Sequence, residues 1–202
     1  MKSLYNYIIS TNNRYNNKVS VDDKELILNT EITERDYMFV NRIGTVVNVP
    51  ININTPIKKG DEVIVHHNVF RRWFDVRGNE RNSGSYINEN NYTVAQDQIF
   101  AYKQNGEWHC PIQYCFVEPI ENEDIWSLDS EQKLLGKLTY TNDYLSSLGL
   151  SCGDIVGFTP DSEYEFNIDD KKLYRILSQD ITINYGHKEE KNRTTKSFWE
   201  CN

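Results

Sequence analysis

The residues of this chain best suited to holding a metal ion are His66 and His67, directly after Val65, with His109, Cys110 and Cys115 further on. A zinc site needs three or four such donors converging on one point. Alternation along a strand sends His66 and His67 to opposite faces. Pro111 breaks the spacing between Cys110 and Cys115, which is unlike the close cysteine pairs of metal sites. The sequence therefore predicts no metal and no cofactor, and it reads Cys115 and Cys152 as small buried residues. Carboxylates are plentiful, yet Glu121, Glu123, Asp124, Asp169 and Asp170 fall in segments of loop composition, and no spacing sets two of them across a cleft as a glycosidase requires. Phosphate-cradling glycine loops and serine-nucleophile signatures are missing. The expectation is a protein that binds, not an enzyme.

One cluster could bind nucleic acid. Phe70-Arg71-Arg72-Trp73-Phe74, followed by Arg77 and Arg81, joins cations to aromatics as single-strand binders do. The chain as a whole carries a net charge of −8, which opposes a broad phosphate-binding surface. The sequence is read as a solvated loop whose arginines face acidic neighbours, with no nucleic-acid partner. The competing reading, binding through Arg71, Arg72, Trp73 and Phe74, predicts a steep salt dependence. No eighteen apolar residues run together, the N-terminus lacks an apolar signal core, and Cys110, Cys115, Cys152 and Cys201 form no paired framework. A soluble cytoplasmic protein with no membrane partner is expected.

The elements that position these residues read as strands, in short β-branched or aromatic runs bounded by Gly, Asn, Asp and Pro. Candidates are 5–10, 18–21, 25–29, 43–49, 62–67, 98–103, 114–118, 135–140, 154–158, 172–176 and 180–185. One helical turn is expected over 142–148, capped by Asn142 or Asp143 and stopped by Gly149. The segment Gly78 to Asn91 reads as a long loop, and the charged residues from 188 onward as a flexible tail.

The chain also says nearly the same thing twice. Arg42-Ile43-Gly44-Thr45-Val46, then Gly60-Asp61-Glu62-Val63-Ile64-Val65, then Gln96-Asp97-Gln98-Ile99 in the first part correspond to three stations in the second. Those are Leu135-Gly136-Lys137-Leu138, Gly153-Asp154-Ile155-Val156 and Gln179-Asp180-Ile181-Thr182. Repeats fix how many folding units exist. The division predicted is 1–112, 113–187 and the tail 188–202, with the first unit stretched between Asp61 and Asp97.

This ordered set, most clearly Gly136-Lys137-Leu138, Gly153-Asp154-Ile155-Val156, the hairpin Asp161 to Leu177 with Lys172-Leu173-Tyr174-Arg175-Ile176, and Asp180-Ile181-Thr182-Ile183, resembles the GroES-like co-chaperonin family. About 75 residues of the second unit carry the likeness, counted along the sequence from 113 to 187. The resemblance implies an all-β protein of two tandem small β-barrels. GroES-like domains also occur in zinc alcohol dehydrogenases, but those need a dinucleotide-binding domain for which this chain has neither room nor a Gly-x-Gly-x-x-Gly.

In the family, a long loop after the first strand binds the large chaperonin ring through a short apolar segment. The matching interval in the first unit, 11–41, holds Leu26, Ile27 and Leu28. In the second unit, 121–134 holds Ile125, Trp126 and Leu128. The resemblance thus implies a GroEL-like ring as partner, homo-oligomeric assembly, and a co-chaperonin that caps the ring and assists protein folding. The Asn-rich, stretched first unit suggests a phage gene acting in the host cytoplasm. Leu26-Ile27-Leu28 also fits an ordinary strand in a hairpin turning at Asp22-Asp23. The second loop is acidic and lacks the glycines of the family's loop. A structural or adaptor protein, such as a viral assembly component reusing two small barrels, is the other class of function the sequence allows.

Overall fold

A computed structural model describes residues 2–15, 18–21, 24–27, 39–122, 130–169 and 171–187. The chain forms two compact units, Met1–Cys115 and Phe116–Asn202. Both are built almost wholly of antiparallel strands, so the all-β class holds. The tail expected from 188 onward lies outside the described residues.

In unit 1 the strands are β1 (Tyr7–Ser10), β2 (Lys18–Val21), β3 (Lys24–Ile27), β4 (Ile43–Asn48), β5 (Glu62–Val65), β6 (Arg72–Phe74), β7 (Glu80–Asn82), β8 (Tyr86–Asn88), β9 (Asn91–Val94), β10 (Ile99–Gln104) and β11 (Glu107–His109). Seven of them form one sheet in the order β11-β10-β5-β4-β1-β9-β8, while β2–β3 and β6–β7 are separate two-stranded hairpins. β12 (Tyr114–Glu121) crosses into unit 2 and is followed by β13 (Glu131–Tyr140), α1 (Asp143–Ser147), β14 (Asp154–Phe158), β15 (Tyr164–Ile168), β16 (Lys171–Leu177) and β17 (Ile181–His187). Their sheet runs β15-β16-β12-β13-β14-β17.

The two sheets have the same topology. Matching β1, β4, β5, β8, β9 and β10 in turn with β12, β13, β14, β15, β16 and β17 gives one six-strand order for both units. Unit 1 adds β11 at one edge and the two hairpins as insertions. Neither sheet is a closed barrel: among the described residues β11 does not pair with β8, nor β15 with β17. Bulges at Ile8/Ile9, Phe116/Val117 and Gly157/Phe158 add twist, but the edge strands are left without each other's partnership.

The hydrogen bonds at the repeated stations match pair for pair. Gly60 takes φ +95° and Gly153 φ +97°, a region costly for other residues. Gly60 N donates to Val46 O at 2.8 Å and Gly153 N to Leu138 O at 2.7 Å. The following aspartates bind back to the same turn, Lys58 N donating to Asp61 Oδ2 and Ser151 N to Asp154 Oδ2, each at 2.8 Å. Each aspartate is also met by the last matched strand, through Gln104 Nε2 at 2.6 Å and His187 Nδ1 at 2.8 Å. Finally His66 N donates to Gln98 O and Thr159 N to Asp180 O, both at 3.0 Å. These last bonds align Gln98 with Asp180, one residue off the Asp97–Asp180 match drawn from sequence, because β10 and β17 begin at Ile99 and Ile181.

Cores sit under these stations. In unit 1, Tyr7, Ile9, Val46, Val63, Val65, Phe70, Tyr92, Val94 and Ile99 pack together. In unit 2, Phe116, Val117, Leu138, Leu145, Val156, Phe166, Ile168, Leu173 and Ile176 are buried. The single α-helix among the described residues is the one expected: Asn142 Oδ1 accepts from Leu145 N at 3.0 Å, and Gly149 ends the turn at φ +84°.

The segment Gly78 to Asn91, read from sequence as a long loop, instead contains β7 and β8. Cys152, expected to be buried, is exposed in the turn before Gly153, while Cys110 and Cys115 are buried.

Gly44 and Gly136 explain why the second matched strand carries glycine. A Cβ on Gly136 would lie 2.8 Å from Val117 Cγ2, 2.9 Å from Val117 Cβ and 3.2 Å from Glu118 O. One on Gly44 would lie 2.9 Å from Ile9 Cδ1 and 3.1 Å from both Phe70 Cζ and Ser10 O. Gly136→Ala is expected to destabilise unit 2 by about 1–3 kcal/mol. Gly44→Ala should cost unit 1 less, since Ile9 Cδ1 is the free end of a side chain that can turn aside. Urea denaturation with amide exchange resolved by unit measures both, and equal or negligible losses would contradict the packing argument.

Candidate partner-binding site

β1 and β5 are each antiparallel to β4, so they run in the same direction and their following connections leave from one end of the sheet. The first connection carries the β2–β3 hairpin and the second the β6–β7 hairpin. The two insertions of unit 1 therefore start from the same end, and side chains tie their roots together.

Arg14 is the tie. Its Nε donates to Phe70 O at 3.1 Å, its Nη2 to Asn82 Oδ1 at 2.7 Å, and its Nη1 to Glu80 Oε1 at 3.3 Å. The guanidinium lies 5.8 Å and 5.9 Å from the Tyr86 and Tyr92 ring centres. Beside it the Tyr15 hydroxyl accepts from Arg72 N and donates to Arg72 O, both at 3.1 Å. The connection closes its own neck through the Tyr15–Val40 bridge and Asn41 N donating to Arg14 O at 2.9 Å.

The β2–β3 hairpin is in register from Lys18↔Ile27 to Val21↔Lys24. Of the apolar segment singled out from sequence, Leu26 and Ile27 belong to β3, and Leu26 is half exposed. Leu28 lies outside the described residues, as do Ile125, Trp126 and Leu128. The neck of that second connection is described. Asn122 N donates to Ser130 O at 2.9 Å, and the Glu131 carboxylate accepts from Lys172 Nζ at 2.7 Å and Tyr174 OH at 2.6 Å. Burial raises the Glu131 carboxyl, but the bonds from Lys172 and Tyr174 outweigh it and hold the group below its ordinary value.

The β6–β7 hairpin was not visible in the sequence. Trp73 and Phe74 are about half exposed on it, and Val76 at its tip is fully exposed. Asp75 makes the tip: Oδ1 accepts from Arg77 N and Asn79 N at 2.9 Å each, and Oδ2 from Arg81 Nη2 at 3.0 Å. Gly78 N donates to Asp75 O at 2.9 Å, and Gly78 has φ +79°. Asp at the first and Gly at the fourth position of a turn is the local signal that could have revealed it. The result is a fixed turn that holds apolar side chains in water.

The arginine cluster does not form a continuous cationic track. Arg72 Nη1 meets Glu80 Oε2 at 3.3 Å and Arg81 meets Asp75. The histidines depart from the expected alternation because β5 ends at Val65. His66 Nδ1 accepts from Asn68 N at 3.1 Å, and the His66 and His67 rings stack at 4.3 Å. Burial, then His66, Arg42 and Arg71, lower His67 to about 4. Among the described residues no three His, Cys, Asp or Glu side chains converge as metal ligands. No helix among them is long and apolar enough to cross a membrane.

Asp75 offers a pH test of the display turn. The Asn79 backbone N–H, then its side chain, and the bonds from Arg77 and Arg81 hold the carboxyl below its ordinary value. A lowered carboxylate stabilises the turn fully above the unfolded-state value of about 3.9 and ceases to do so as pH falls through the lower, folded value. Following the Arg77 and Asn79 amide resonances should therefore give a midpoint below about 3.9. A midpoint at or above that value would mean the turn does not hold the carboxylate.

Compared with known proteins, the chain matches no protein-family model and no curated protein.

Proposed function

We propose that the protein is a non-enzymatic co-chaperonin that caps a chaperonin ring and assists folding, making contact through the connection after β1. The observation that carries this reading is the doubled six-strand order with matching hydrogen bonds at each Gly-Asp station. These are the stations on which the GroES-like resemblance is drawn, and both units have them. In each, a pinned neck opens between the first two matched strands, where the family carries its partner-binding loop. In unit 1 that connection holds a hairpin with Leu26 half exposed.

Burying one large apolar side chain is worth roughly 1.5–3 kcal/mol, less the cost of ordering the hairpin, so a single contact is weak. A ring of copies supplies the missing affinity through effective concentration. The edge strands β8, β11, β15 and β17 are available for joining copies.

A second reading, an adaptor that uses its hairpins to hold another protein, is favoured by the fixed display of Phe74 and Val76 on β6–β7.

Light scattering with a large chaperonin ring and ATP separates the two. The co-chaperonin reading expects an oligomer that joins the ring only with nucleotide, and Leu26→Asp should weaken that association by about tenfold or more. A monomer, or ring binding absent with ATP, would sink it, and the adaptor reading would remain.

A further inference from the structure

At the exit of β5 a short 3-10 turn, His67–Val69, opens the connection that carries the β6–β7 hairpin. The first N–H groups of such a turn need an acceptor, a task that serine, threonine, aspartate or asparagine usually performs. Here the acceptor is an imidazole: His66 Nδ1 accepts from Asn68 N at 3.1 Å. Unit 2 is built differently at the matched position, where Thr159 N donates to Asp180 O as His66 N does to Gln98 O. The chain there reads Thr159-Pro160, and neither residue titrates.

The imidazole makes the cap conditional on a proton. A neutral imidazole has one donor and one acceptor nitrogen, whereas an imidazolium has two donors and no acceptor. Protonating His66 therefore sets a donor against the Asn68 N–H. The groups around the pair also oppose added positive charge. The His66 and His67 rings stack at 4.3 Å, Arg42 just before β4 and Arg71 just before β6 act on His67, and the His66 ring centre lies 6.0 Å from that of Phe100. Burial, then these neighbours, hold His67 at about 4. A histidine lowered in this way lets the unfolded chain take up its proton first. Its contribution to unit 1 is complete above the unfolded value of about 6.5 and is lost as pH falls toward the folded one.

The turn is joined to the roots of both insertions. Val69 O accepts from Ser83 Oγ at 2.7 Å, Phe70 O from Arg14 Nε at 3.1 Å and Arg71 O from Ser83 N at 3.3 Å. A shift of residues 67–71 slackens all three bonds. We infer that this turn is an acid-sensitive latch: protonation of His66 uncaps it and loosens the root of the β6–β7 hairpin, while the matched turn of unit 2 is unchanged. The latch needs neither chaperonin nor nucleotide, so its failure leaves the proposed function untouched.

Amide exchange and imidazole nitrogen shifts of the full chain test it, followed from about pH 7.5 to about pH 5, where ordinary carboxylates stay ionised. The protection factors of the Asn68, Val69 and Ser83 amides should fall about fivefold, in step with protonation of His66 Nδ1, and those of Leu145 and Thr159 should hold. His66→Asn supplies an amide oxygen as the cap with no proton to gain, so the fall should vanish while the amide spectrum stays native. His67→Gln leaves the His66 cap in place and should keep the fall. Unchanged Asn68 protection, a fall that persists in His66→Asn or disappears in His67→Gln, or an equal fall at Thr159 overturns the proposal. Imidazole shifts that show His66 Nδ1 already protonated at neutral pH overturn it without any variant.

Discussion

The close seating of the second matched strand on the first is the constraint on which the rest of each unit depends. Gly44 lies against Ile9 and Ser10, and Gly136 against Val117 and Glu118, so that a methyl group in either place would force a neighbour to shift. That contact fixes β4 on β1 and β13 on β12. Two residues further along, the carbonyls of Val46 and Leu138 are then placed to accept from Gly60 and Gly153. The glycine's positive φ turns the chain, the aspartate locks the turn to Lys58 or Ser151, and the same carboxylate receives Gln104 or His187 from the last matched strand. One tight contact is thereby passed across four strands by hydrogen bonds of ordinary length.

Direction follows from the same sheet order. Because β1 and β5 run alike, whatever is inserted after either emerges at one end, and unit 1 has inserted a hairpin after both. Separate insertions at one end would be free to wander. Arg14 and Tyr15 prevent that at the roots by bonding to Phe70, Arg72, Glu80 and Asn82, side-chain and backbone groups of the other insertion. The Glu80 carboxylate sits between Arg14 and Arg72, so the hairpin's charges are largely spent on holding it in place. Outward on β6–β7 and its tip stand three apolar side chains, Trp73, Phe74 and Val76, beside exposed Arg77, Asn79 and Arg81.

The sequence revealed what was locally encoded. The capped turn at Asn142 and Gly149, the two strands Lys18–Val21 and Lys24–Ile27, and the Gly-Asp turns all rest on residues within a few positions of one another. β6, β7 and β8 went unread because their stretch is rich in Asn, Arg, Ser and Gly, and their order comes from groups far along the chain, as with Arg14 and Asn82. The histidine pair was misplaced by two residues of strand length: β5 stops at Val65, and a short 3-10 turn (His67–Val69), capped by His66, replaces the alternation. Small barrels were expected from strand spacing, but spacing fixes strand number and neighbours, not whether the edges meet. Of the candidate site, Leu26 was legible as an apolar residue in a long connection and the Asp75 turn had a local Asp-x-x-Gly signal, whereas the Arg14 tie to Phe70, Glu80 and Asn82 exists only once distant segments are brought together.

The difference between the units bears on what each can do. Unit 2 keeps the six-strand order with short connections, and the turn from β14 to β15 is only a few residues, tied by Ser162 Oγ donating to Thr159 O at 2.6 Å. The equivalent connection in unit 1 holds the β6–β7 hairpin. An insertion that merely padded the loop would be expected to satisfy its own polar groups and present polar residues to water. This one instead spends an aspartate on five-residue turn geometry from Asp75 to Asn79 and leaves Val76 wholly exposed at its tip. Unit 1 thus carries, after β5, an inserted hairpin with exposed apolar side chains that has no counterpart in unit 2, whose own first neck is pinned by Glu131, Lys172 and Tyr174.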